Sequence, residues 1–103
     1  MKIIEKLSDK ISDEIHDAKC YAKMALENQE KYPSLAKTLY SISLEEMDHM
    51  GRLHDAVVEI IEDYRKEHGD LPEAMQAVYD YLHKKQIDAA GEAKALQTMY
   101  SQR

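Results

Sequence analysis

The stretch Leu35–Ile60, LAKTLYSISLEEMDHMGRLHDAVVEI, decides how this chain folds. In steps of four and three it gives Leu35, Leu39, Ile42, Glu46, His49, Leu53, Ala56 and Ile60, the inward stripe of a long amphipathic helix. Two hydrophilic residues stand in the middle of that stripe. Glu46 and His49 form a Glu-x-x-His pair about one turn apart on one face. A carboxylate and an imidazole at core positions need a partner, because an unpaired buried charge costs several kcal/mol or forces a pKa shift. A metal ion is a common partner for such a pair. In a chain with 20 Asp and Glu and five His, the spacing alone is a weak signal. Its position on the core stripe is what gives it weight.

Upstream, the apolar ladder runs Ile4, Leu7, Ile11, then Ala18, Tyr21 and Ala25, and its missing step is occupied by Glu14. A first helix over about 3–30 therefore also carries a carboxylate at a core position, with Ile15 beside it. Alone, Glu14 reads equally as a solvent-reaching residue at the stripe's margin or as a buried polar group that sets register. Between the two helices, Asn28–Pro33 (NQEKYP) ends the pattern, and Pro33 disfavours helical geometry at Tyr32. A second helix over about 34–67 follows. A short connection makes the helices antiparallel neighbours, in which residues equidistant from the turn face each other. The midpoint between Glu14 and the Glu46/His49 pair falls near residue 31, inside the turn. Both carboxylates and the imidazole are thus expected at one level of one hairpin.

Composition bounds the rest. The chain has 103 residues, 33% of them charged, with three Gly, two Pro and no Trp or Phe. It reads as one all-α domain, residues 1–103, able to bury a modest core. A net charge of −6 without a Lys/Arg cluster argues against a nucleic-acid partner. No run approaches the ~18 apolar residues of a membrane span, and no membrane partner is expected. A single cysteine, Cys20, excludes an intramolecular disulfide and makes a reducing cytoplasm the default.

Residues Lys10–Val57 resemble the rubrerythrin branch of the ferritin-like superfamily. The resemblance is carried by Glu14 with Tyr21 seven residues later, then by Glu46-x-x-His49, with the two glutamates 32 residues apart. It implies iron held by Glu14, Glu46 and His49, with Glu46 bridging two ions and the Tyr21 hydroxyl orienting a carboxylate from outside the ligand set. The chain has no second Glu-x-x-His, so half a di-metal site per chain implies two copies related by a two-fold axis. Encapsulated ferritins are similar in plan, which adds the interior of a protein compartment to the cytoplasm as a location. The chain lacks the paired Cys-x-x-Cys of a rubredoxin domain, so a redox activity needs an external electron donor.

The expected architecture is a long antiparallel helical hairpin plus a C-terminal helix, with a ferritin-like four-helix bundle completed by dimerisation or a multiple of dimers. Gly69 suits the left-handed cap of the second helix, and Leu71-Pro72-Glu73 opens the third, over about 71–100. Its stripe of Met75, Val78 and Leu82 falters at Lys85 and Gly91, which predicts a kink or break near 85–91. Asp80 and His83, an Asp-x-x-His on this helix, are the alternative ligand pair, set against a hydrated helix face. His16, His54 and His68 read as surface residues, and Cys20 as a small buried hydrophobe.

Two functions follow. One is a di-iron carboxylate protein with two iron ions per dimer, manganese or zinc being chemically acceptable, acting as a ferroxidase or in peroxide reduction. The other is a metal-free helical interaction module, or a phage-type structural module, in which Glu14, Glu46 and His49 form a buried polar network.

Overall fold

Two short breaks cut the chain into three helices. In the computed structural model, which describes residues 1–102, these are α1 Lys2–Asn28, α2 Pro33–His68 and α3 Glu73–Ser101. At the first break Tyr32 leaves the helical region (φ −132°, ψ 68°), which a following proline disfavours, and Pro33 opens α2. At the second, Gly69 takes φ +79°, ψ −161°, a region closed to side chains with a Cβ, and donates its N–H to the Arg65 carbonyl at 2.9 Å. Arg65, Lys66 and His68 lie in the last turn of α2, where cations complement the helix dipole. Pro72 precedes α3 with ψ 140°, so the helix begins at Glu73 rather than at residue 71.

The expected kink or break near 85–91 does not occur; α3 runs without interruption to Ser101. Lys85 and Gly91 are both exposed, so neither asks the core for space. An exposed glycine within a helix costs only about 1 kcal/mol, which neighbours such as Ala89, Ala90 and Ala93 readily offset.

α1 is the central element. It packs along α2 as an antiparallel hairpin and along α3 in parallel, while α2 and α3 meet through side chains at a few levels. The parallel register shows in Gln86 Nε2 donating to Ser8 Oγ at 3.0 Å and Lys19 Nζ to Glu92 Oε2 at 2.7 Å. Tyr40 and Tyr100 tilt together with centroids 4.7 Å apart, where the N-terminal part of α2 meets the end of α3. The molecule is 56 Å long, about the length of α2. Among the described residues, no helix is long and apolar enough to cross a membrane.

Small side chains make the close approach possible. Ala18, Ala22, Ala25, Ala36 and Ala93 are fully buried, with Ile4, Ile11, Ile15, Leu39 and Leu71 filling the remaining core. This corrects the expected inward stripe of α2. Leu35 is 47% exposed, and Ile42, Leu53, Ala56 and Ile60 are only half-buried. The residues turned to α1 and α3 are Ala36, Leu39 and Ser43, continued by the partly buried Met50, His54, Val57 and Ile61. At 100° per residue the two stripes lie roughly a quarter turn apart. The hairpin therefore has two faces, one covered by α3 and one, containing Glu46 and His49, that α3 leaves open.

Candidate metal centre

Glu14 reaches the open face from α1, and Glu46 and His49 reach it from α2. The hairpin register brings them to one level, as equal distance from the turn requires. His49 Nδ1 lies 3.6 Å from Glu14 Oε2 and 3.9 Å from Glu46 Oε1. One potential ligand atom from each residue lies within 4.8 Å of the other two, and among the described residues no other group of three acidic, His or Cys side chains converges this way. Donors sharing an ion at about 2.0–2.2 Å are separated by roughly 3.0–4.2 Å, so small side-chain rotations close the set on a cation. The glutamate side chains are mostly buried, 24% and 18% exposed, while His49 is half-exposed at 50%. The cluster therefore lies at the surface of the chain, with its carboxylates already largely withdrawn from water.

That withdrawal has an electrostatic consequence. Glu14 Oε2 is buried without a hydrogen-bond partner. The Glu46 carboxyl is pushed up to about 7, first by sharing a hydrogen bond with Glu14, then by burial and by the Glu14 charge. His49 acts in the opposite direction, and the Asp17 carboxylate adds to the rise. Two carboxyls held this close are comfortable only with a shared proton or a cation between them. The donor set, two carboxylates and an imidazole, fits Fe(II), Mn(II) or Zn(II) without selecting sharply among them.

Tyr21 occupies another level. It packs against the cluster of Ala25, Ala36 and Leu39 near the hairpin turn, and among the described residues its hydroxyl makes no hydrogen bond to Glu14 or Glu46. Asp80 and His83 are exposed and belong to no ligand cluster. Asp80 accepts from Gln76 Nε2 at 2.9 Å, and His83 stacks on His54 with ring centroids 5.1 Å apart. His54 is consequently half-buried between α2 and α3 rather than a surface residue. It lines a cleft of about 300 Å³ with Ile4, Ile11, Val57, Ile61 and Leu82, on the covered side of the hairpin and away from the acidic cluster. Cys20 is exposed, not buried, with Sγ 3.5 Å from His16 Nε2. It lies on the side of α1 opposite its buried residues, Ile4, Ile11, Ile15, Ala18, Ala22 and Ala25.

Ser43 and Gln97, the two buried polar side chains, were not singled out by their sequence pattern. Their signal is the second ladder in α2, Ala36–Leu39–Ser43, which keeps helical spacing but places a hydroxyl where an apolar residue is usual.

In comparisons with known proteins, no family model matches the chain, and no curated protein or solved structure matches it either.

Proposed function

We propose that two copies of this chain pair through the open face of the α1/α2 hairpin into a four-helix bundle around a shared di-metal carboxylate centre. Each protomer contributes Glu14, Glu46 and His49, and the protein acts in iron oxidation or peroxide reduction. The observation that carries this reading is the convergence of three ligand atoms from two helices in the middle of an apolar stripe that no helix covers. Leu35, Ile42, Leu53 and Ile60 flank the ligands along that stripe. A second hairpin laid on it buries them and, by symmetry, brings a second set of ligands to the first. The rubrerythrin-like spacing of Glu14, Glu46 and His49 favours iron.

Iron held by Glu14, Glu46 and His49 would supply the electrons for reducing oxygen or peroxide. The chain's own residues supply charge and access: Glu14 and Glu46 offset the cation's charge in a poorly solvated space, and the half-exposed His49 stands at its outer edge. Donors come from two rigid helices, so the ligand atoms are positioned before the ion arrives. The test is anaerobic Fe(II) addition followed by oxygen or peroxide, with Fe(III) formation followed by absorbance. Wild type should oxidise Fe(II) faster than buffer, and His49→Ala should match buffer; equal rates for both proteins would overturn the reading.

One observation favours a second reading. With Glu46 raised to about 7, a proton shared with Glu14 satisfies the pair near neutral pH without a metal. The chain would then be a helical interaction module whose polar pair fixes the dimer's register. Metal analysis after Fe(II) or Mn(II) loading separates the two, since this second reading expects none retained.

A further inference from the structure

Ser43 and Gln97 form one hydrogen-bonded chain across all three helices. Gln97 Nε2 donates to Ser43 Oγ at 2.8 Å, and Ser43 Oγ donates to the Ala18 carbonyl at 2.6 Å. With the Gln97 amide donating into its oxygen, the serine hydroxyl proton is left to point at α1. Ser43 lies one turn before Glu46, and Ala18 one turn after Glu14. The bond therefore spans the α1/α2 interface directly beside the ligands.

The side chains nearest it add little to register by shape. Ala18, Ala22 and Ala25 of α1 and Ala36 of α2 are all fully buried, so methyl groups rather than large side chains line this part of the hairpin. A slip of one turn, about 5.4 Å, would carry Glu14 away from the level of His49 in one direction or of Glu46 in the other, so the three could no longer share one ion. Apolar side chains at 43 and 97 would bury as well in either register. A buried hydroxyl and amide are satisfied in only one, which is how buried polar groups confer specificity.

We propose that Ser43 and Gln97 are positioning residues for the metal centre: α3, which supplies no ligand, holds Glu14 level with Glu46 and His49 through the chain Gln97–Ser43–Ala18. The proposal rests on the metal-binding reading above. It is tested with Ser43→Ala/Gln97→Met and with Gln97→Met alone. The double change leaves no buried donor unpaired, since the Ala18 carbonyl keeps its place in the helix, so its melting temperature in chelator should equal or exceed that of wild type. Its Mn(II) affinity by calorimetry should fall about tenfold or more, and that of Gln97→Met by less, because Ser43 still reaches Ala18. Unchanged affinity in the double variant, whatever its melting temperature, overturns the proposal; provided His49→Ala loses Mn(II), the metal reading survives. If wild type takes up no Mn(II), the metal reading falls and the register claim is decided in chelator. Nuclear Overhauser contacts between the Ala25 and Leu39 methyls should then weaken in the double variant. Their persistence at wild-type intensity overturns the claim.

Discussion

The two faces of the α1/α2 hairpin are cut from the same pair of helices and are built on opposite principles. On the covered face the buried Ser43 and Gln97 side chains are both hydrogen-bonded, and Ala18, Ala22, Ala36 and Ala93 are fully withdrawn from water. On the open face the leucines and isoleucines are half-exposed, and the carboxylate Glu14 Oε2 is buried without a partner. Covered-face residues hold the three helices together. The open face places two acids, Glu14 and Glu46, where apolar residues would fit, and their proximity raises the Glu46 carboxyl.

The largest expected effects are at Glu46 and His49. His49→Ala and Glu46→Ala should each abolish the rise in melting temperature given by Mn(II) or Fe(II), with helical circular dichroism largely intact. Asp80→Ala and His83→Ala should keep that rise in full. A metal response lost on changing Asp80 or His83 would move the centre to the covered side.

Next in size is the contrast between core residues. Ile11→Ala, at a 2%-exposed position, should destabilise the protomer by about 3 kcal/mol in urea melts. Leu53→Ala, on the open face, should cost the protomer roughly 1 kcal/mol or less. Leu53→Asp should instead weaken self-association at least about tenfold in sedimentation experiments, by burying a charge at the proposed interface. Equal losses of protomer stability at Ile11 and Leu53 would mean that the two faces do not differ.

A smaller effect has a definite sign. Glu46 holds its proton to about pH 7 when folded, against about 4.5 in the unfolded chain, so the folded state binds more protons between those values. Its contribution is fully present below about pH 4.5 and is lost as pH rises through 7. In chelator, wild type should lose stability from pH 5 to pH 8 relative to Glu46→Gln, on the order of 2 kcal/mol after solvent screening. Glu14→Leu should melt higher than wild type at pH 8 without metal and should lose most of the metal's stabilisation. A flat difference between wild type and Glu46→Gln, or a lower-melting Glu14→Leu, would contradict the electrostatic account.

The helices and the acidic cluster were legible in the sequence for the same reason. Apolar spacing, Pro33, Gly69 and Pro72 mark the helix limits, and one short turn makes the level of Glu14, Glu46 and His49 a matter of counting. The face of α2 that packs on α1 and α3 was not legible. A shift from Leu35/Ile42/Leu53 to Ala36/Ser43/His54 is a quarter turn, and the true inner stripe is the less hydrophobic of the two. Small or polar side chains such as Ala36 and Ser43 carry little weight in a hydrophobicity pattern, although close helix approach depends on them. His54 is a different case: it lies on the inner stripe and stacks on His83 of α3, a contact that local spacing does not encode. The uninterrupted α3 shows the converse: Lys85 and Gly91 break a pattern on an exposed side, where no packing requires that pattern to continue.

The central claim is that one chain carries half a metal site and a second copy completes it. Sedimentation equilibrium of the 11.9 kDa chain, with metal analysis of the same sample after anaerobic Fe(II) loading, tests it most directly. The expected result is a dimer, or a multiple of dimers, holding about two ions per pair of chains. A monomer at micromolar concentration, or a dimer retaining no more metal than its His49→Ala variant, would contradict it.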